Sequence, residues 1–174
     1  MRLPKLVLTM ILVLPPAAAR VAGAFPAEPE KVSPAQAEVA RQALVEWFEC
    51  EECDEGQLEA VKGQGTLVVP LLRTALLKGA APATHQLARQ GLAARYDELL
   101  RYAETHSYAK PASTRDEFVE AGLRNLDAQY QVRAARALAV IGGLASRQAL
   151  EAGAAAPLRP DVRDTVKAAL ASAQ

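Results

Sequence analysis

The chain has 174 residues, with 20 basic against 20 acidic side chains, 51% hydrophobic and only 5% aromatic residues. That length suffices for one domain that buries about 70% of the surface its unfolded chain exposes, so a disulfide-dependent miniprotein is not needed. A balanced charge without a basic excess lacks the footprint of a nucleic-acid binder.

Residues 1–24 have the order of an export signal. Arg2 and Lys5 give a positive start, Leu6 to Leu14 an apolar core, and Ala22, Gly23 and Ala24 a small-residue cleavage site. The expectation is a signal peptide over 1–24, cleavage near Ala24, and a mature chain that starts near Phe25 in the periplasm or the medium. A cut after Ala19 also fits the pattern. The apolar core is too short for a retained membrane anchor and ends at Pro15 and Pro16. No cysteine stands at the cleavage point, so a lipid-modified N-terminus is not expected. Elsewhere no uncharged apolar stretch approaches the roughly 18 residues of a spanning helix, and no stable membrane span is expected after signal removal. Loss of Arg2, Lys5 and Arg20 leaves 17 basic residues against 20 acidic ones, a mildly acidic chain.

Beyond the signal, alanine, leucine, arginine and glutamate dominate and runs of β-branched residues are few, which predicts an all-α fold. Residues 25–32, with two prolines and no period, read as an extended lead-in to a helical domain over 33–174. A first helix opens at Ser33, a cap residue followed by Pro34 at the first helical position and Gln36 to close a capping box. Its apolar stripe is Ala40, Leu44, Trp47 and Phe48, and it ends near the cysteines. Shorter helices are expected over Leu58 to Lys62 and Leu67 to Lys78. Pro70 should kink the latter or make it start late. Two more are expected over Ala83 to Arg95 and Asp97 to Thr105, then a loop over 107–113. Thr114 to Glu117 forms a second capping box, leading into a helix that buries Phe118, Gly122 and Leu126 with Val119 and Leu123 beside them.

The clearest internal signal is a repeat. Tyr130, Ala134, Ala137 and Leu138, joined by Ile141, fall on one helical face, and Val162, Val166, Ala169 and Leu170 reproduce the stripe 32 residues later. A weaker echo runs through Thr84, Ala88, Gly91 and Leu92. The stretches "RAARALAVIGGLASRQAL" (133–150), "PDVRDTVKAAL" (160–170) and "LVVPLLRTALLKG" (67–79) resemble the short HEAT-like repeats first described in phycobilisome lyases. Val162 and Arg163 match that pattern, whereas Tyr130 and Gln131 stand where the family often has Val and Arg. The resemblance covers under half of the mature chain. It implies a short alpha solenoid of HEAT-like helix pairs, with the helix before the cysteines as an N-terminal cap, and a protein-binding scaffold rather than an enzyme.

Cys50 and Cys53 are the chain's two cysteines, and their spacing admits three readings. Seven acids between Gln42 and Val61, with no lysine or arginine in that interval, oppose thiolate formation. The pair also follows a helix instead of opening one, which disfavours redox catalysis. A metal site would need His85 and His106 to converge on the pair from far away in the sequence. In an exported chain a disulfide is the default, here pinning the turn after the first helix. Closing so small a loop stabilises by roughly 2 kcal/mol at best.

No nucleophile motif, phosphate-binding glycine loop or calcium loop is present, so no cofactor is expected. The reading reached is an exported scaffold that binds another protein and performs no chemistry of its own. The alternative is a small extracytoplasmic redox or metal-binding module built on Cys50 and Cys53. Chromophore attachment or removal is a third class, with no chromophore site to support it. Seven basic side chains lie between residues 124 and 167 against four acids. Within that segment Arg133, Arg136 and Arg163 are the candidate partner-binding residues, since guanidinium groups pair with carboxylates in a bidentate way.

Overall fold

The computed structural model describes residues 32–106 and 110–172. The expected signal peptide over 1–24 and residues 25–31 of the expected lead-in lie outside them. The elements are α1 (Pro34–Glu49), α2 (Glu55–Gly63), a short 3-10 turn (Gly65–Val68), α3 (Val69–Lys78), α4 (Pro82–Thr105), α5 (Arg115–Ile141), α6 (Gly143–Ala155) and α7 (Pro160–Ser172). No strand occurs among the described residues, and the fold is all-α.

Local chemistry sets the helix boundaries. The Ser33 side chain accepts from the Gln36 amide while the Gln36 side chain reaches back to the Ser33 amide, the reciprocal box expected for α1. Thr114 and Glu117 do the same for α5, and hydrogen bonds from Thr114 hold the Glu117 carboxyl below its ordinary range. Asp54 and Gln57 form a third box, at the start of α2. It carries that helix three residues further toward the cysteines than the expected start at Leu58. Pro70 sits in the first turn of α3, where its missing N–H costs nothing, so the chain winds as a 3-10 turn to Val68 and the α-helix starts late.

Two boundaries differ from expectation. The helices expected over Ala83 to Arg95 and Asp97 to Thr105 are one helix, α4, because Arg95, Tyr96 and Asp97 contain no breaker. Likewise the helix opened at Thr114 runs without interruption into the stretch beginning at Tyr130, giving the 27 residues of α5.

The first half of α5 lies antiparallel to α4. Arg115 pairs with Asp97, the Phe118 ring tilts against Tyr96, Arg89 pairs with Glu120, and His85 meets Asp127. The second half of α5 is the centre of the fold, packed by α2, α3, α6 and α7. There Ala134, Ala135, Ala137 and Leu138 have no exposed surface, and the small alanines let the neighbouring helices come close. Both stripes expected from the sequence face the core. Tyr130, Ala134, Ala137 and Leu138 are buried with Ile141 partly so, and Val162, Val166 and Ala169 are buried with Leu170 partly so. In the N-terminal half of α5, Val119 and Leu123 are the buried residues, and Phe118, Gly122 and Leu126 lie at the edge of that face.

Candidate functional site

The site is built around the C-terminal end of α1. Trp47 is 3% exposed, and its indole Nε1 donates to the backbone carbonyl of Arg133 at 3.1 Å. The Arg133 side chain returns to the same helix end. Its Nη1 donates to the Phe48 carbonyl at 2.5 Å and its Nη2 to the Cys50 carbonyl at 2.6 Å. With its amide oxygen turned inward, Gln129 accepts from both nitrogens, at 2.8 and 3.0 Å. The last carbonyls of a helix lack intrahelical partners and carry the negative end of its dipole, so a guanidinium there satisfies both deficits. Burial pushes the Arg133 guanidinium down from its ordinary value; Tyr130 opposes that shift and Arg136 adds to it.

Cys50 and Cys53 are joined by a disulfide with Cα atoms 5.3 Å apart. Cys50 is the C-cap of α1 and Cys53 immediately precedes Asp54, the N-cap of α2. The bridge thus closes the link between the two helices. The acids around the pair are not its whole electrostatic field, because Arg133 delivers a cation to the Cys50 carbonyl from 83 residues away.

Next to this junction Phe48 stacks on Tyr130, with ring centroids 4.6 Å apart and planes within 3°. Burial pushes the Tyr130 phenol up, and a hydrogen bond with Thr84 works against that shift. The stacked pair lines an open groove of about 490 Å³ between α1 and α3, whose apolar walls include Leu44, Val45 and Phe48 on one side and Leu71 and Ala75 on the other. The two helices make at most marginal contact with each other, so the space between them is left unfilled. Leu71 is 54% exposed there. Arg41, Glu49 and Lys78 line the same groove with charge. Arg41 is paired with Glu38, whereas Lys78 has no ion-pair partner among the described residues.

The three candidate arginines part company. Arg136 and Arg163 are exposed, on α5 and α7. Arg133 is only 8% exposed, with its fork engaged on α1. This is a correction to the expected surface role: Arg133 lies one helical turn from Tyr130 and Ala137, on the edge of the buried stripe, and is drawn inward. His85 and His106 do not converge on the cysteines. His85 Nε2 lies 2.7 Å from Asp127 Oδ1, which also accepts from the Ala80 amide, and His106 stacks on Tyr102 at the end of α4. Among the described residues no cluster of three histidine, cysteine or acidic side chains is arranged to hold a metal, and no helix is long and apolar enough to cross a membrane.

The fold and site together define an all-helical protein with a disulfide-closed α1–α2 link and an open apolar groove beside it. No family model, curated protein or solved structure matches the chain.

Proposed function

We propose that this chain is an exported protein-binding module that takes an amphipathic helical segment of its partner into the groove between α1 and α3. The observation that carries the reading is an apolar space bounded by two helices that make at most marginal contact, with Leu71 left half exposed. Such a groove is the shape into which a helix lays apolar residues spaced i, i+3, i+4 and i+7. Lys78, a cation without an ion-pair partner at the groove, favours an acidic residue beside those anchors. The HEAT-like resemblance supports the same class of function. So do three packings of the kind stacked helix pairs would make, α5 against α2, α5 against α7, and α3 against α6. The Cys50–Cys53 bridge is consistent with an oxidising compartment outside the cytoplasm.

A photoreactive phenylalanine analogue placed at Leu71 tests the binding reading in living cells. A discrete adduct is expected from position 71 and none from Leu87, which is 70% exposed but does not line the groove. Equal labelling from both positions would sink the groove. Mass spectrometry of the recovered protein tests export separately, with a first residue at or near Phe25 as the expected result.

A redox role for the cysteines has one observation in its favour, the Arg133 cation at the Cys50 carbonyl. It requires that the reduced chain speed disulfide reduction in insulin beyond the rate of free dithiothreitol.

A further inference from the structure

A second cleft, of about 400 Å³, runs along α5 past Asn125, Gln129, Val132 and Arg136 and is bounded by Arg159 and Asp161 at the start of α7. Arg133 also lines it, so three guanidinium groups meet there with one carboxylate.

That carboxylate is already engaged. Arg159 donates to Asp161 from Nε at 3.1 Å and Nη2 at 2.7 Å, and to Asn125 Oδ1 from Nη1 at 2.8 Å. The pair neutralises itself and holds the Asp161 carboxyl below its ordinary range. Arg133 is different. Its terminal nitrogens are bonded to the Phe48 and Cys50 carbonyls and the Gln129 amide, all neutral oxygens, so its positive charge is buried without a counter-ion. Buried cations are normally matched by an anion, because neutral oxygens replace the lost water without cancelling the charge. Arg136, exposed and lining the same cleft, donates to no described residue. The cleft therefore holds one buried guanidinium matched only by the partial negative charge of the α1 C-terminus, and one exposed guanidinium whose fork is free.

We infer that this cleft binds a carboxylate of an acidic polypeptide segment, with Arg136 making the bidentate contact and the buried charge of Arg133 standing behind it. The free fork matches the two oxygens of one carboxylate. A phosphate, which takes more donors around it, finds the terminal nitrogens of Arg133 and the fork of Arg159 already committed. The choice of a polypeptide as the source rests on the protein-binding reading above; the carboxylate chemistry does not.

The test is a titration of the purified chain with a capped tetraglutamate peptide, followed through the guanidinium Nε–H resonances of Arg133 and Arg136. Capped tetraglutamine, succinate and inorganic phosphate are the comparison probes. Tetraglutamate should shift both resonances and tetraglutamine neither. Arg136→Gln, an exposed change that should leave the helical spectrum intact, should weaken tetraglutamate binding about tenfold. Succinate acting as well as the peptide would support the carboxylate site and assign it to a free diacid. The inference is overturned if the arginine resonances stay still, if Arg136→Gln binds unchanged, or if phosphate matches the peptide. Labelling at Leu71 does not pass through Arg136, so the groove and the cleft can fail independently.

Discussion

A guanidinium can leave water only where oxygens replace its hydration, and Arg133 meets that condition by capping another helix. The carbonyls of Phe48 and Cys50 depend on it in return. Arg133→Met keeps much of the volume and removes both donors, so it should cost about 3 kcal/mol, the scale of losing a charged donor from buried carbonyls. Arg133→Lys keeps the charge but cannot span both carbonyls, and should cost about half as much. Urea unfolding measures both. Trp47, the sole tryptophan, donates to the Arg133 carbonyl and reports loosening through a red-shifted emission. A loss below about 0.5 kcal/mol for Arg133→Met would mean that water replaces the guanidinium at those carbonyls. In the sequence Arg133 is one of seven cations in its segment, and only its helical phase relative to Tyr130 and Ala137 marks it as inward-facing. The sequence separation of 83 from Cys50 hides the contact altogether, since no local pattern encodes which helix end a buried arginine will cap.

Among the elements, the α4–α5 pair contains two glycines with opposite roles. A Cβ on Gly91 would meet nothing within 4 Å, so Gly91→Ala should stabilise by about 0.5–1 kcal/mol through helix propensity alone. A Cβ on Gly122 would fall 2.5 Å from Leu92 Cδ1 and 2.7 Å from its Cδ2, so Gly122→Ala must push Leu92 away, a cost of about 1–3 kcal/mol that offsets or outweighs the same propensity gain. The midpoint of thermal unfolding should rise for Gly91→Ala and rise clearly less, or fall, for Gly122→Ala; an equal rise would mean that α4 is not held against α5 at Gly122. Helix existence was legible because caps and prolines act locally: the Ser33 and Thr114 boxes and the late start at Pro70 all follow from neighbours within a turn. The continuity of α4 and α5 was less legible, because apolar phase drifts along a long helix and mimics a break. The groove was not legible at all. It exists because α1 and α3 do not close on each other, a property of packing between elements that no single segment carries.

In the whole molecule, burial is concentrated around the second half of α5, and that distribution orders the costs of disturbing it. Leu138 has no exposed surface, so Leu138→Ala should cost about 2–5 kcal/mol through the cavity it leaves. Replacing Cys50 and Cys53 with serine opens a loop closed at a sequence separation of only 3 and should cost no more than roughly 2 kcal/mol. Denaturant titration would show the reverse order if the bridge, and not the α5 core, held the domain together. The same distribution governs local opening. Of the 24 residues of α4 only Ala103 is buried, and the helix packs chiefly on α5, whereas α5 buries nine of its own residues and is packed on several sides. Regions with few buried apolar contacts open below the global unfolding free energy, so amides of α4 should exchange with solvent deuterium well before those of Ala134 to Leu138. Because α5 is continuous through both regions, its own protection should rise from Arg115 toward Leu138 without a step. Equal protection of α4 and the α5 core would mean that α4 comes away only when the whole domain unfolds, which would require stabilisation of α4 beyond what its burial provides.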